Sequence, residues 1–233
     1  MSFSKALSNI FKLVPHTKLS LINGYIRENT DSNVDVPKEI AQLCTVSAFP
    51  VAGFAEEPSG YGLDIEWNPE NTFCIAYISE PEWDYVNSAF GKIKATEYGL
   101  YRWTIRIQYN ENGELYAGDC MFGIIEDDEN IMRKVKDDCF TATHGSVYAY
   151  DIAAKMIRTN TITEQYGDQN IVIEKGLDVN INLDLDQNTL GFGVNDNDFG
   201  IAFKNIPKKV YRIAISIPQN MTVQITDAKY YLI

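Results

Sequence analysis

Between Asp178 and Ile225 the chain alternates apolar and polar side chains with a period of two, a pattern that no helix can hold. The stretch opens DVNINLDLD, with Val179, Ile181, Leu183 and Leu185 set against Asp178, Asn180, Asn182, Asp184 and Asp186. QNT supplies a turn, and LGFGV follows with Leu190, Phe192 and Val194 on one side and glycines on the other. NDND is a second turn, FGIAF a short strand, and VYRIAISI a further strand with Tyr211, Ile213, Ile215 and Ile217 facing one way. Successive alternating runs joined by Asn/Asp/Pro turns predict an antiparallel meander with one apolar face. A second sheet has to cover that face.

The remaining chain contains material for it. GLYRWTIRIQY alternates Tyr101, Trp103, Ile105, Ile107 and Tyr109 with Arg102, Thr104, Arg106 and Gln108, and NENG after it predicts a hairpin turn. LYAGDCMFGII is apolar on both faces, which predicts a fully buried strand. DIEW, TFCIAYI, SVYAYD, MTVQI and KYYLI read as further strands, SEPEWDYVNSAFGK as a long loop, and Glu126 to Asp138 as a charged insertion. Ahead of these, Phe3, Ala6, Leu7, Ile10, Phe11 and Val14 recur at helical spacing until Pro15, and two further short helices are expected at 19–28 and 37–48. The breaker-rich GFAEEPSGYG is the expected boundary. The predicted organisation is a helical lead over 1–52, a linker over 53–62 and a β domain over 63–233.

Charge narrows the partners. A formal net charge of -12 speaks against duplex nucleic acid or an anionic membrane, since phosphate neutralisation needs clustered Lys and Arg. No apolar run reaches the roughly 18 residues of a spanning helix, and the N-terminal stretch lacks a signal peptide's cleavage pattern. Cys44, Cys74, Cys120 and Cys139 show neither zinc-like nor C-x-x-C spacing, so free thiols and a cytoplasmic location are expected.

Catalytic patterns are absent. His16 and His144 stand outside any nucleophile motif. The spacing Asp184-x-Asp186-x-Asn188 resembles the start of a calcium loop, but Thr189 and Asn195 fall where Gly and Glu are required. Asp64 and Glu66 share a strand face without the third acid of a sandwich hydrolase. The reading is a non-enzymatic chain with no cofactor and no metal site.

GLYRWTIRI, CMFGII, GSVYAYD and above all GLDVNINLDLDQNTLGFGVNDNDFGIAFKNIPKKVYRIAISI together resemble a SPRY domain, the interaction module of the B30.2 class of concanavalin-like sandwiches. The likeness runs from about Leu63 to Ile233. Arg102, Thr104, Asn188 and Asp196 depart from the family pattern, the last two at turn glycines, where Asn and Asp tolerate left-handed backbone. The resemblance implies a mainly β, antiparallel two-sheet sandwich, here preceded by short α-helices. It also implies that a peptide segment of a partner protein binds loops at one end: SEPEWDYVNS, EDDENIMRKVKDDCF and PQN.

Within those loops the resemblance points to Pro81 as a contact proline. Trp83 is a large aromatic in a polar loop: either an interface anchor or a lid folded back on the sandwich edge. Tyr85 and Pro218 are weaker candidates, and Gln219 with Asn220 offers peptide hydrogen bonds. The alternative from another class is a glycan-binding lectin on the same sandwich. The partner's identity and the oligomeric state are not encoded in any motif.

Overall fold

A computed structural model describes residues 45–48, 53–58, 60, 62–69, 74–78, 86–96, 98–109, 120–137, 146–171, 176–219 and 221–231. Its strands are β1 (Thr45–Ala48), β2 (Leu63–Trp67), β3 (Cys74–Ile78), β4 (Val86–Phe90), β5 (Leu100–Tyr109), β6 (Met121–Glu126) and β7 (Val147–Asp151). They continue with β8 (Met156–Arg158), β9 (Thr163–Gln165), β10 (Leu177–Asp184), β11 (Thr189–Val194), β12 (Asn197–Lys204), β13 (Tyr211–Pro218) and β14 (Met221–Tyr231). Among the described residues one helix, α1 (Glu129–Val135), lies between β6 and β7.

Two antiparallel sheets stack face to face. The larger runs β12-β11-β10-β5-β14-β3-β2, with β1 added against the far end of β14. The smaller runs β4-β13-β6-β7-β8-β9. Between them lies one dry layer, because the alternation sends Trp103, Ile105, Ile107, Val179, Ile181, Leu183 and Phe192 inward from the larger sheet. Phe122, Ile124, Tyr150, Ile213, Ile215 and Ile217 meet them from the smaller one. The mainly β sandwich expected from the sequence is the fold observed.

The expected meander holds for β10, β11 and β12, which pair consecutively. The fourth run departs from it: β13 crosses to the other sheet and pairs with β4 and β6. Period-two patterning gives each strand its dry face but does not say which sheet owns it. The strands that flank NENG, β5 and β6, belong to opposite sheets, and the expected turn at 110–113 lies outside the described residues. Three further strands arise where loops were expected: β4 inside SEPEWDYVNSAFGK, and the β8–β9 hairpin after SVYAYD.

The apolar character of both faces of β6 now has a cause. Its second face, with Phe90, Val147, Ala149 and Ala214, forms a separate cluster roofed by Met132 and Val135 of α1. The charged insertion is therefore a roof helix. Asp128 caps it by accepting from the backbone N–H groups of Asn130 (2.8 Å) and Ile131 (3.3 Å). Glu129 in the first turn and Arg133 in the last pair with each other at 2.5 Å and complement the helix dipole.

Of the N-terminal lead, residues 1–44 lie outside the described residues. Thr45–Ala48, expected to finish a helix, is instead a strand on β14, because Tyr230 and Tyr231 extend that strand beyond the reach of β3 and leave a ladder to complete. Within the expected linker, Phe54 is fully buried and bridges to Gly91, so residues 53–55 pack against the sandwich.

The roof makes a specific claim about stability. Met132→Ala should lower the unfolding free energy by about 2–3 kcal/mol with an unchanged denaturant slope, whereas Lys134→Ala on the exposed side should stay within about 0.5 kcal/mol. Equal effects of the two in urea melts would show that α1 does not cover the sheet.

Candidate binding site

The strand registers define two ends of the sandwich. At one of them Pro218 pairs with Val86, Thr222 with Tyr77 and Met221 with Tyr109. The ends of β3 and β5, the start of β4 and the passage from β13 to β14 therefore lie at this end. At the other end Tyr211 pairs with Glu126, where the chain turns into α1.

The α1 end is tied shut. Asp127 takes Lys94 Nζ at 2.6 Å and Arg212 Nε at 2.5 Å, while the Arg212 guanidinium also donates to the Gly91 carbonyl at 3.1 Å. Glu126 takes Lys209 at 2.6 Å. Burial alone would raise the Asp127 carboxyl, but the hydrogen bonds from Lys94 and Arg212 outweigh it and hold the group below its ordinary value. A lowered carboxyl contributes stability that is complete above its unfolded value and disappears as pH falls through its folded value. Asp127→Asn, which leaves the Arg212 charge unmatched, should destabilise by about 1–3 kcal/mol at pH 7. The gap to wild type should narrow in urea melts below about pH 4; a gap independent of pH would contradict the assignment.

Of the sequence-predicted site residues, Pro81, Trp83, Tyr85 and Asn220 lie outside the described residues. Pro218 is the last residue of β13 and is buried, and Gln219 is half-buried beside it. The ends of β4 and β13 bring the Tyr85 side of the long loop next to Pro218–Gln219. The EDDENIMRKVKDDCF segment is described as far as Asp137. It begins at the α1 end, crosses the smaller sheet as the helix, and approaches β4 only at Lys136, whose carbonyl accepts from Ser88 N–H at 2.8 Å. A loop expected from its charge is half roof, because Met132 and Val135 sit three residues apart on one helical face.

Elsewhere the earlier candidates have structural roles. Asp184 Oδ1 accepts from the backbone of Asp186 and Gln187, which closes the β10–β11 turn around buried Leu185. Asn188 there has φ +55°, the left-handed conformation anticipated for it; in the next turn Asn195, at φ +52°, takes that role instead of Asp196. Glu66 on the exposed face of β2 accepts from the Tyr77 hydroxyl. Cys74 and Cys120 are buried thiols, and burial pushes the Cys74 thiol above its ordinary value.

No sequence motif signalled a concavity that lies on the outer face of the larger sheet. Its volume is about 330 Å³, and Arg102, Thr104, Asn180, Asn182, Asp198 and Tyr231 are among its lining residues. Gly191 and Gly193 explain its shape: a Cβ on either would come within 2.4 Å of the Gly200 carbonyl oxygen or 2.6 Å of that of Asn197. Only glycine lets β12 fold up over β11 and become a wall. The Tyr166 hydroxyl holds that wall, donating to the Gly200 carbonyl at 2.5 Å and accepting from Phe192 N–H at 3.1 Å, and burial pushes this hydroxyl up to about 12.

One end of the two-sheet sandwich is tied by ion pairs, and strand ends of both sheets gather at the other. The SPRY domain family model matches residues 100–229, more than half of the chain, and the protein belongs to that family. Solved structures of low identity share the fold. The neuralized NHR1 domain of Drosophila melanogaster is 14% identical with a TM-score of 0.52, covering 76% of this chain and 99% of that one. The TRIM65 PSpry domain is 10% identical with a TM-score of 0.51, covering 75% and 91%. No curated protein matches the chain. SPRY domains are generally non-catalytic modules that bind other proteins. Among the described residues no helix is long and apolar enough to cross a membrane.

Proposed function

We propose that this protein is a non-enzymatic interaction module that grips a peptide segment of a partner protein with the loops beside Pro218. The observation that carries this reading is the pairing of Val86 with Pro218, which sets the chain leaving the long loop against Gln219 at the end away from the ion-paired turn into α1. Family membership supports the class of partner, since SPRY domains bind other proteins. In this reading Trp83 is the anchor, Pro81 and Tyr85 flank it, and Gln219 with Asn220 meets the peptide backbone. A buried aromatic anchor of this type commonly dominates an interface of ordinary size.

The test is selection of a displayed peptide library on the full chain, followed by affinity measurement on the enriched sequence. Trp83→Ala should weaken that peptide at least about tenfold, with Gln219→Ala weakening it less, while both keep the wild-type melting temperature. A library that enriches nothing, or a peptide that binds both variants as tightly as wild type, would overturn the reading.

A further inference from the structure

The groove on the outer face of the larger sheet has unmet capacity at both ends. On one side Arg102 of β5 stands directly opposite Lys229 of β14. Opposed like charges repel, and the one carboxylate between the strands, Asp227, is committed to Lys229 at 2.5 Å. Arg102 packs its guanidinium 5.4 Å from the centre of the Tyr231 ring and makes no ion pair among the described residues. Beside it Asn182, paired in register with Arg102, makes no side-chain hydrogen bond among the described residues, although it is half-buried. On the other side Asp196 of the β11–β12 turn and Asp198 of β12 meet no cation among the described residues; Asp198 Oδ1 is engaged by Gly200 N–H at 2.9 Å.

The floor between these ends is rigid. Thr104 donates to Asn180 Oδ1 at 2.9 Å, and Asn180 donates to the Asn195 carbonyl at 2.8 Å. Side chains already fixed by such bonds lose little freedom when a ligand arrives.

We infer that this groove is a second binding site, distinct from the loop end, and that its ligand is a sugar carrying a carboxylate. The carboxylate meets Arg102 and the Asn182 amide, relieving the repulsion with Lys229. The ring hydroxyls donate to Asp196 and Asp198, and the sugar's carbon face lies along Tyr231. A peptide fits the same groove poorly for two reasons. β5, β10, β11 and β14 are each paired on both sides, so no strand edge is open within it. Its walls are mainly amides, carboxylates and cations beside the half-buried ring of Tyr231, a poor match for apolar peptide side chains. The volume of about 330 Å³ sits at the small end of the range for ligand pockets, as a mono- or disaccharide requires.

The test is an NMR titration of the isotope-labelled full chain with methyl glucuronoside, methyl glucoside and the dipeptide Ser-Glu as probes. The glucuronoside should give saturable shifts at the Asn180 and Asn182 side-chain amides and at Gly193. The glucoside, lacking the charge-assisted bond, should bind roughly tenfold more weakly. Arg102→Gln and Asn182→Ala should each weaken the glucuronoside by about tenfold with an unchanged melting temperature, and Trp83→Ala should leave it unaffected. Absence of saturable shifts at these residues, equal binding of the two sugars, or tighter binding of the dipeptide would each overturn the inference. If Arg102→Gln fails to fold, the Asn182→Ala variant and the two-sugar comparison still decide it. Because the loop peptide and the groove sugar are read at different residues, failure of one leaves the other standing.

Discussion

The structure depends on the alternation along β5, the strand at the middle of the larger sheet. Its inward side chains, Trp103, Ile105 and Ile107, stand at the centre of the dry layer, and β10 and β14 pair along its length on either side. Burial of apolar surface at about 25 cal/mol per Å² is what holds the two sheets together, and it is available only if every second residue faces inward. A slip of one residue would put Arg102, Thr104 and Arg106 into the core. The register is fixed on the outer face as well: Arg106 and Asp178, directly opposite, form a two-pronged ion pair at 2.8 and 2.6 Å. The same parity that builds the core therefore builds the groove.

The two sheets solve different problems. The larger one is polar outside and carries a concave face, while the smaller one is apolar on both sides and needs α1 as cover. Their common edge near β9 and β12 is closed by an aromatic cluster of Tyr150, Tyr166, Phe192 and Phe199, with rings meeting edge-on or offset. At the neighbouring β7–β8 hairpin, fully buried Asp151 accepts from Ala154 N–H and pairs with Arg158 at 2.8 Å. A buried carboxylate is tolerated only with partners of this kind. At this hairpin the buried carboxylate fixes the turn geometry, while the facing layer of the two sheets is built mainly from apolar side chains.

Much of this was legible in the chain. Alternation located β5, β10, β11 and β13 and their inward faces, because side-chain parity is a local property. Sheet membership was not local: nothing in VYRIAISI says that its partners are β4 and β6 instead of its neighbour β12. The roof helix was hidden by composition, since two buried residues, Met132 and Val135, are outnumbered by charges on its open side. The loop end could be approached only through family likeness, because loops lack the periodicity that a strand displays. The groove escaped sequence reasoning for another reason. Its polar residues are strand residues that any exposed sheet face would carry, and only the fold of β12 over Gly191 and Gly193 turns that face into a cavity.

If β5 with its two neighbours is what the sandwich is built on, amide hydrogen exchange under native conditions reports it directly. The amides of residues 101–107 and 179–183 should exchange only through global unfolding, with protection equal to the free energy from denaturant melts, while β9 and the outer edge of β12 open earlier. Protection of β5 no greater than that of those edge strands would contradict the account.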